Sequence, residues 1–209
     1  MKEYNIIFWD FDGVIKESVE VKSEAFERLF LPYGREVADR VRRHHEANGG
    51  MSRFDKIPIY LGWAGEPATE EMVREFCSRF AQAVQQAVID AAWVPGVREY
   101  LETHHSRQCF VLVTATPLGE IQHILQVLGI ARCFREVYGA PMPKAEAMRK
   151  VLQREQCLPE RALAVGDSES DFRAAAENGV PFLLRRTPLN KALQELYRGP
   201  SFECMTIDE

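Results

Sequence analysis

The stretch Asn5-Ile6-Ile7-Phe8-Trp9-Asp10-Phe11-Asp12-Gly13-Val14 limits what this chain can fold into more than any other. An apolar run of Ile and aromatic residues reads as a buried strand. It ends in two carboxylates one residue apart, followed by glycine. Buried charge is expensive unless something compensates it. In an α/β protein, the carboxyl end of a parallel strand is where ligands bind. The stretch therefore predicts a strand that delivers two acids to a functional edge.

The sequence after Gly13 switches to helical spacing for about eighty residues. Helices are predicted over 18–30, 36–47, from the Met51–Lys56 segment to about Leu61, and over 69–91. Pro95-Gly96 closes this segment. The second half then alternates. Strands are expected at 109–114, 134–138, 162–166 and 180–184. Helices follow them, the first entered at Pro117 as its N1 residue, the second over 144–156, the third ending at Asn178-Gly179 and the last over 189–197. Strands separated by helices imply right-handed βαβ units and a parallel sheet. The expected class is α/β: a three-layer, Rossmann-like parallel sheet made of residues 1–15 and 93–209. An α-helical segment, 16–92, is inserted in it. The tail from Gly199 reads as irregular or as an edge strand.

A net charge of −5 gives no electrostatic case for nucleic acid. No apolar stretch approaches the ~20 residues needed to span a bilayer, and Met1-Lys2-Glu3-Tyr4 leaves no room for a signal peptide before the first strand. Five scattered cysteines without a CxxC pair read as reduced thiols of a cytoplasmic protein, with no disulfide framework or zinc site.

A parallel sheet brings its strand ends to one edge, and here those ends are chemically loaded. Asp10 and Asp12 follow the first strand, and Thr114 and Thr116 end the second. Lys144 opens the helix after the third, and Gly166-Asp167-Ser168-Glu169-Ser170-Asp171 follows the fourth. Crowded carboxylates repel unless a cation joins them. Oxygen-only ligands suit Mg²⁺, which takes one or two carboxylates, waters and a substrate phosphate. A hydroxyl and an ammonium beside it match what a transferring phosphoryl group requires.

The set Asp10-Phe11-Asp12-Gly13-Val14, Thr114, Lys144 and Gly166-Asp167-x-x-x-Asp171 resembles the four motifs of the haloacid dehalogenase superfamily of phosphohydrolases. The helical insertion is similar to that family's type 1 cap. The resemblance implies that Asp10 is the nucleophile and that Asp12 is the general acid and then the base, its backbone carbonyl reaching Mg²⁺. It implies that Thr114 and the backbone N–H of Ala115 hold the phosphoryl group, and that Lys144 neutralises Asp10 and the phosphate. Asp167 would complete a magnesium site with Asp10 and Asp12, and Asp171 would orient Lys144 or a metal-bound water. Dehalogenating members lack the second acid, so Asp12 favours phosphoryl chemistry. Gly166-Asp167 is similar to the phosphoglycolate phosphatase type, where the β-phosphoglucomutase branch usually has Glu-Asp.

Gly50-Met51-Ser52-Arg53 is similar to a substrate-reading segment of the β-phosphoglucomutase branch, which implies that Arg53 meets a second anionic group on the substrate. Lys22, in the first cap helix, could face the cleft but reads as a solvated lysine; His44 and His45 read as solvated or structural, and Trp63 as packing. The function expected is a Mg²⁺-dependent phosphatase of a small phosphorylated metabolite acting through an aspartyl-phosphate. The alternatives are a sugar-phosphate mutase on the same fold and, from another class, a catalytically idle scaffold.

Overall fold

The computed structural model describes residues 4–205. Six strands, β1 (Ile6–Trp9), β2 (Cys109–Pro117), β3 (Glu136–Ala140), β4 (Ala162–Gly166), β5 (Phe182–Arg185) and β6 (Ser201–Phe202), form one sheet in the order β3-β2-β1-β4-β5-β6. Every pairing is parallel. Nine α-helices are described: α1 (Val19–Phe30), α2 (Arg35–Ala47), α3 (Arg53–Trp63), α4 (Glu70–Asp90), α5 (Val97–His104), α6 (Leu118–Val127), α7 (Lys144–Arg154), α8 (Glu169–Glu177) and α9 (Lys191–Leu196). This is the expected α/β class.

Side-chain alternation along β1 builds the three layers. Ile7 and Trp9 point into a core with Leu101 of α5 and Ile121, Ile124 and Leu125 of α6. Ile6 and Phe8 point the other way, into a core with Met148 and Val151 of α7 and Ala174 and Ala175 of α8. A strand buried on both faces must be apolar throughout, which is why β1 shows no hydrophobic alternation. Its central place puts Asp10 and Asp12 at the middle of the edge, between the ends of β2 and β4.

The chain leaves the sheet after β1 and returns before α5 through two paired segments. Glu17 N–H donates to Ala92 O at 2.9 Å, and Val94 N–H donates to Ile15 O at 3.0 Å. Between these crossings α1–α4 pack on one another around Phe26, Phe30, Tyr60, Phe76 and Phe80. The Phe26 and Phe80 rings stack at 3.8 Å. Thr69 caps α4, its hydroxyl accepting from Met72 N–H at 3.3 Å. None of the helices described is long and apolar enough to cross a membrane.

Several boundaries differ from expectation. β3 begins at Glu136 because the residues before it, Ala131–Cys133, make a 3-10 turn that Phe134 closes. Pro117 ends β2 and precedes the first helical residue, Leu118, so it is not an N1 residue. A separate helix, α5, stands between Pro95-Gly96 and β2. The tail supplies a two-residue edge strand, β6, and residues 206–209 lie outside the described residues.

Candidate active site

Beyond β1 the backbone turns at Gly13, whose φ of +74° is a left-handed value that glycine adopts without strain. A Cβ at Gly13 would stand 2.1 Å from Asp167 Oδ2, so the absence of a side chain lets this turn lie against the end of β4. The carboxylates of Asp10, Asp167 and Asp171 each place an oxygen within 4.8 Å of the other two. These acids come from the ends of β1 and β4 and the first turn of α8.

Lys144, the first residue of α7, reaches into this cluster. Its Nζ lies 3.0 Å from Asp10 Oδ1 and 2.6 Å from Asp171 Oδ1. Asp171 also accepts from Ser168 N–H at 3.1 Å and from the Ser168 hydroxyl at 2.5 Å, in a capping box that starts α8. It is thus both helix cap and partner of Lys144. Asn190 donates to the Asp167 backbone carbonyl at 2.7 Å and to Arg185 O at 2.8 Å, which ties down the loop after β4.

Asp12 faces a different set. Ser18 Oγ donates to its Oδ1 at 2.6 Å, and Lys22 Nζ lies 2.5 Å from its Oδ2. Lys22 also donates to Thr116 Oγ1 at 2.9 Å, and Thr116 donates to Asp12 at 3.2 Å. The reading of Lys22 as a solvated lysine is therefore corrected: it is buried at 8% exposure and engaged at the site. Lys22, Phe26 and Phe30 form one buried row of α1. A lysine on the row that carries two phenylalanines was the available signal. His45 and Lys56 were missed in the same way, each lying on the buried face of its helix.

The two acids of β1 consequently differ in protonation. Burial and the neighbouring Asp171 push the Asp10 carboxyl up to about 7, against the pull of Lys144. Burial also works to raise Asp12, but Lys22 and the hydrogen bonds from Lys22 and Ser18 outweigh it and hold Asp12 below its ordinary value. Burial, Asp10 and Asp171 raise Asp167 well above the carboxylate range. Burial disfavours the charged Lys144, yet Asp10 and Asp171 dominate and raise it.

A cavity of about 330 Å³ joins these groups to the helical segment. Asp10, Asp12, Thr114, Ala115, Lys144 and Asp167 line it from the sheet edge, and Lys22, His45, Met51, Arg53, Lys56 and Phe80 line it from α1–α4 and the α2–α3 turn. Thr114 is buried where the β2–β3 register shifts, and its hydroxyl accepts from Thr116 N–H at 3.2 Å. Arg53 lines the cavity, but its guanidinium is paired with Glu120 of α6 at 2.8 Å and lies over the Phe80 ring. Gly50 meets the first turn of α8, where a Cβ would stand 1.5 Å from Ser170 Oγ.

The acid set leaves a deficit of positive charge. Four carboxylates (Asp10, Asp12, Asp167, Asp171) share two ammonium groups, Lys22 and Lys144. Among the described residues no side chain hydrogen-bonds or ion-pairs with the Asp167 carboxylate. A buried, unpaired carboxylate next to two others fits an oxygen-binding divalent cation, which would supply the two missing charges.

The sequence matches the family model for haloacid dehalogenase-like hydrolases over residues 4–179. It is 26% identical over 181 residues to phosphoglycolate phosphatase from Pseudomonas putida, covering 84% of this chain and just under two thirds, 66%, of that protein. It is 25% identical over 181 residues to the phosphorylated carbohydrates phosphatase of Thermotoga maritima, covering 83% of this chain and 81% of that one. The fold is similar to that of CbbY from Rhodobacter sphaeroides in complex with xylulose-(1,5)bisphosphate, with a TM-score of 0.76 at 18% identity over 96% of this chain and 94% of that chain. The sheet order, the loaded strand ends and the family match converge, and the chain belongs to the haloacid dehalogenase-like hydrolases.

Proposed function

We propose that the protein is a Mg²⁺-dependent phosphatase that moves the phosphoryl group of a small cytoplasmic phosphomonoester first to Asp10 and then to water. The observation that carries this reading is that Asp10 and Asp12 are held by different lysines, Lys144 and Lys22, at the mouth of one cavity. Carboxylates in contrasting surroundings can take separate nucleophile and proton-transfer roles. The names of the two curated relatives point to phosphorylated acids and carbohydrates as the substrate class.

In the first step an Asp10 carboxylate oxygen attacks phosphorus in line as the ester oxygen leaves. Lys144, Thr114 and the Ala115 N–H take the charge on the phosphoryl oxygens. The dianionic phosphoryl group competes for the Lys22 ammonium and so raises Asp12, which takes a proton from solvent as the substrate binds and passes it to the leaving oxygen. Asp12, again ionised, then takes a proton from the water that attacks the aspartyl-phosphate, which frees Asp10 and inorganic phosphate. Asp10, Asp167 and the Asp12 backbone carbonyl would hold Mg²⁺, with Asp171 orienting Lys144. When bound, the ion would supply positive charge that favours the ionised form of Asp10 and polarises the phosphoryl group.

Residues 16–92 serve in this reading as a cap over a core of 1–15 and 93–209. The backbone pairing at Glu17–Ala92 and Ile15–Val94 supports that division, because it is where the chain departs and returns. The test is hydrolysis of p-nitrophenyl phosphate with and without Mg²⁺. Activity should require the metal and fall by about 10³-fold or more in Asp10→Asn. Activity that survives in Asp10→Asn overturns the mechanism.

A further inference from the structure

Four buried cations of the described chain have a carboxylate. Lys22 has Asp12, Lys144 has Asp10 and Asp171, Arg53 has Glu120, and Arg185 has Glu17. Lys16, at 2% exposure, has none but donates to Ile89 O at 2.9 Å beneath the Trp93 ring, away from the cavity. Lys56 is the remaining case. It is 1% exposed, it lines the cavity, and among the described residues no carboxylate lies within ion-pair distance of it.

Its hydrogen-bond partner is His45, with Nζ 2.8 Å from Nδ1. Burial and the adjacent Lys56 hold His45 well below its ordinary value, so the imidazole is neutral and Nδ1 can accept. Phe26 braces the His45 ring at a centroid distance of 4.9 Å. One Lys56 N–H is thus fixed to the protein, and its other hydrogen-bonding positions are unmatched. Burial and the nearby Lys22 lower the ammonium to about 7. An anion placed beside it would restore the full charge. Arg53, by contrast, already has its acid.

We propose that Lys56, positioned by His45, recognises a second anionic group on the leaving portion of the substrate. This rests on the phosphatase reading, with the phosphoryl group at Asp10. One cavity of about 330 Å³ then has to hold both anions. That selects small phosphomonoesters carrying a carboxylate or a second phosphate.

The test is steady-state kinetics with Mg²⁺ on matched pairs. 2-Phosphoglycolate against 2-hydroxyethyl phosphate reports a carboxylate, and fructose 1,6-bisphosphate against fructose 6-phosphate reports a second phosphate. The wild type should favour the anionic member of at least one pair about ten-fold in KM. Lys56→Met should abolish that preference, with the loss carried by KM rather than kcat, and Lys56→Arg should restore part of it. Discrimination in the carboxylate pair alone identifies a carboxylate, and in the bisphosphate pair alone a phosphate. A wild type that prefers neither anionic member overturns the proposal, whether or not the variants fold. So does equal loss on both members of a pair in Lys56→Met, or a preference abolished by Arg53→Met and retained in Lys56→Met. Hydrolysis of p-nitrophenyl phosphate but of neither anionic ester also overturns the proposal, whereas failure on p-nitrophenyl phosphate and all four esters counts against the phosphatase reading instead.

Discussion

Lys22 Nζ lies 2.5 Å from Asp12 Oδ2, so the first helix after β1 supplies the charge that keeps the second of the paired acids ionised. The two residues are ten positions apart. Their meeting depends on the turn at Gly13 and on the buried row of α1. Both side chains are largely buried, at 10% and 18% exposure, so removing either leaves a charge that solvent only partly screens.

Lys22→Met should therefore destabilise the protein by about 3–5 kcal/mol, the usual cost of breaking a buried pair from one side. Urea denaturation measures this. The double variant Lys22→Met/Asp12→Asn should recover a large part of the loss, because the stranded carboxylate is gone. Additive losses in the two single variants would show that the pair is not coupled. Activity of Lys22→Met on p-nitrophenyl phosphate should fall by roughly ten-fold or more, equivalent to about 1.4 kcal/mol of transition-state stabilisation.

Asp10 and Lys56 should contribute to metal-free stability with opposite pH dependences that meet near pH 7. Asp10 is raised from 3.8 to about 7, so between those values the folded chain binds more protons than the unfolded one, and stability falls as pH rises. Lys56 is lowered from 10.5 to about 7, so above 7 the unfolded chain binds more protons, and stability rises again toward 10.5. Thermal melts in chelator across pH 5–10, read as the difference between wild type and each variant, should show both limbs. Asp10→Asn should flatten the lower limb and Lys56→Met the upper. A difference between wild type and variant that does not change with pH would contradict the assignment of that residue.

Mg²⁺ should act on the same acid cluster from the other side. A cation competes with the proton for the Asp10 and Asp167 carboxylates, both raised by burial. The rise in melting temperature at saturating Mg²⁺ should be several degrees larger at pH 8 than at pH 5.5. Asp167→Asn should abolish most of this shift. A shift independent of pH and of Asp167 would place the ion elsewhere.

Gly50→Ala should hinder the seating of the α2–α3 turn on α8. The new Cβ would lie 1.5 Å from Ser170 Oγ and 2.6 Å from Ser170 Cβ, so rotating the hydroxyl alone does not relieve it. The expected result is a kcat/KM lowered about ten-fold, or ~1.4 kcal/mol, with the fold intact by circular dichroism. Ser170→Gly in the same chain should restore activity, since it removes the obstructing atoms.

Glu120→Gln should release Arg53. The pair joins α3 to α6 at 2.8 Å, with side-chain exposures of 5% and 10%. Losing the charge on one partner of a buried hydrogen-bonded pair should cost about 1.5–3 kcal/mol of stability. The freed guanidinium should strengthen inhibition by inorganic phosphate, read as a lower inhibition constant. An unchanged constant would mean that Arg53 cannot turn toward the cavity.

The apolar run 6–9, the paired acids after it, the strand at 109–114, the helix starting at Lys144 and the Gly166–Asp171 segment were all legible in order along the sequence. They are local signals: strand burial, turn residues and helix caps depend on neighbours within a few positions. The fold class and the meeting of Asp10, Lys144, Asp167 and Asp171 followed from them, because a parallel sheet gathers its strand ends. The pairings that cross between the helical segment and the sheet edge were not legible. Lys22 with Asp12, Arg53 with Glu120 and Gly50 against Ser170 join residues whose neighbours give no hint of the partner. Only the tertiary structure decided them, and with them which cations are neutralised within the chain. A cation's charge is visible in sequence, but whether it is paired depends on distances to acids from other helices, and that left Lys56 as the buried ammonium facing the cavity without an acid.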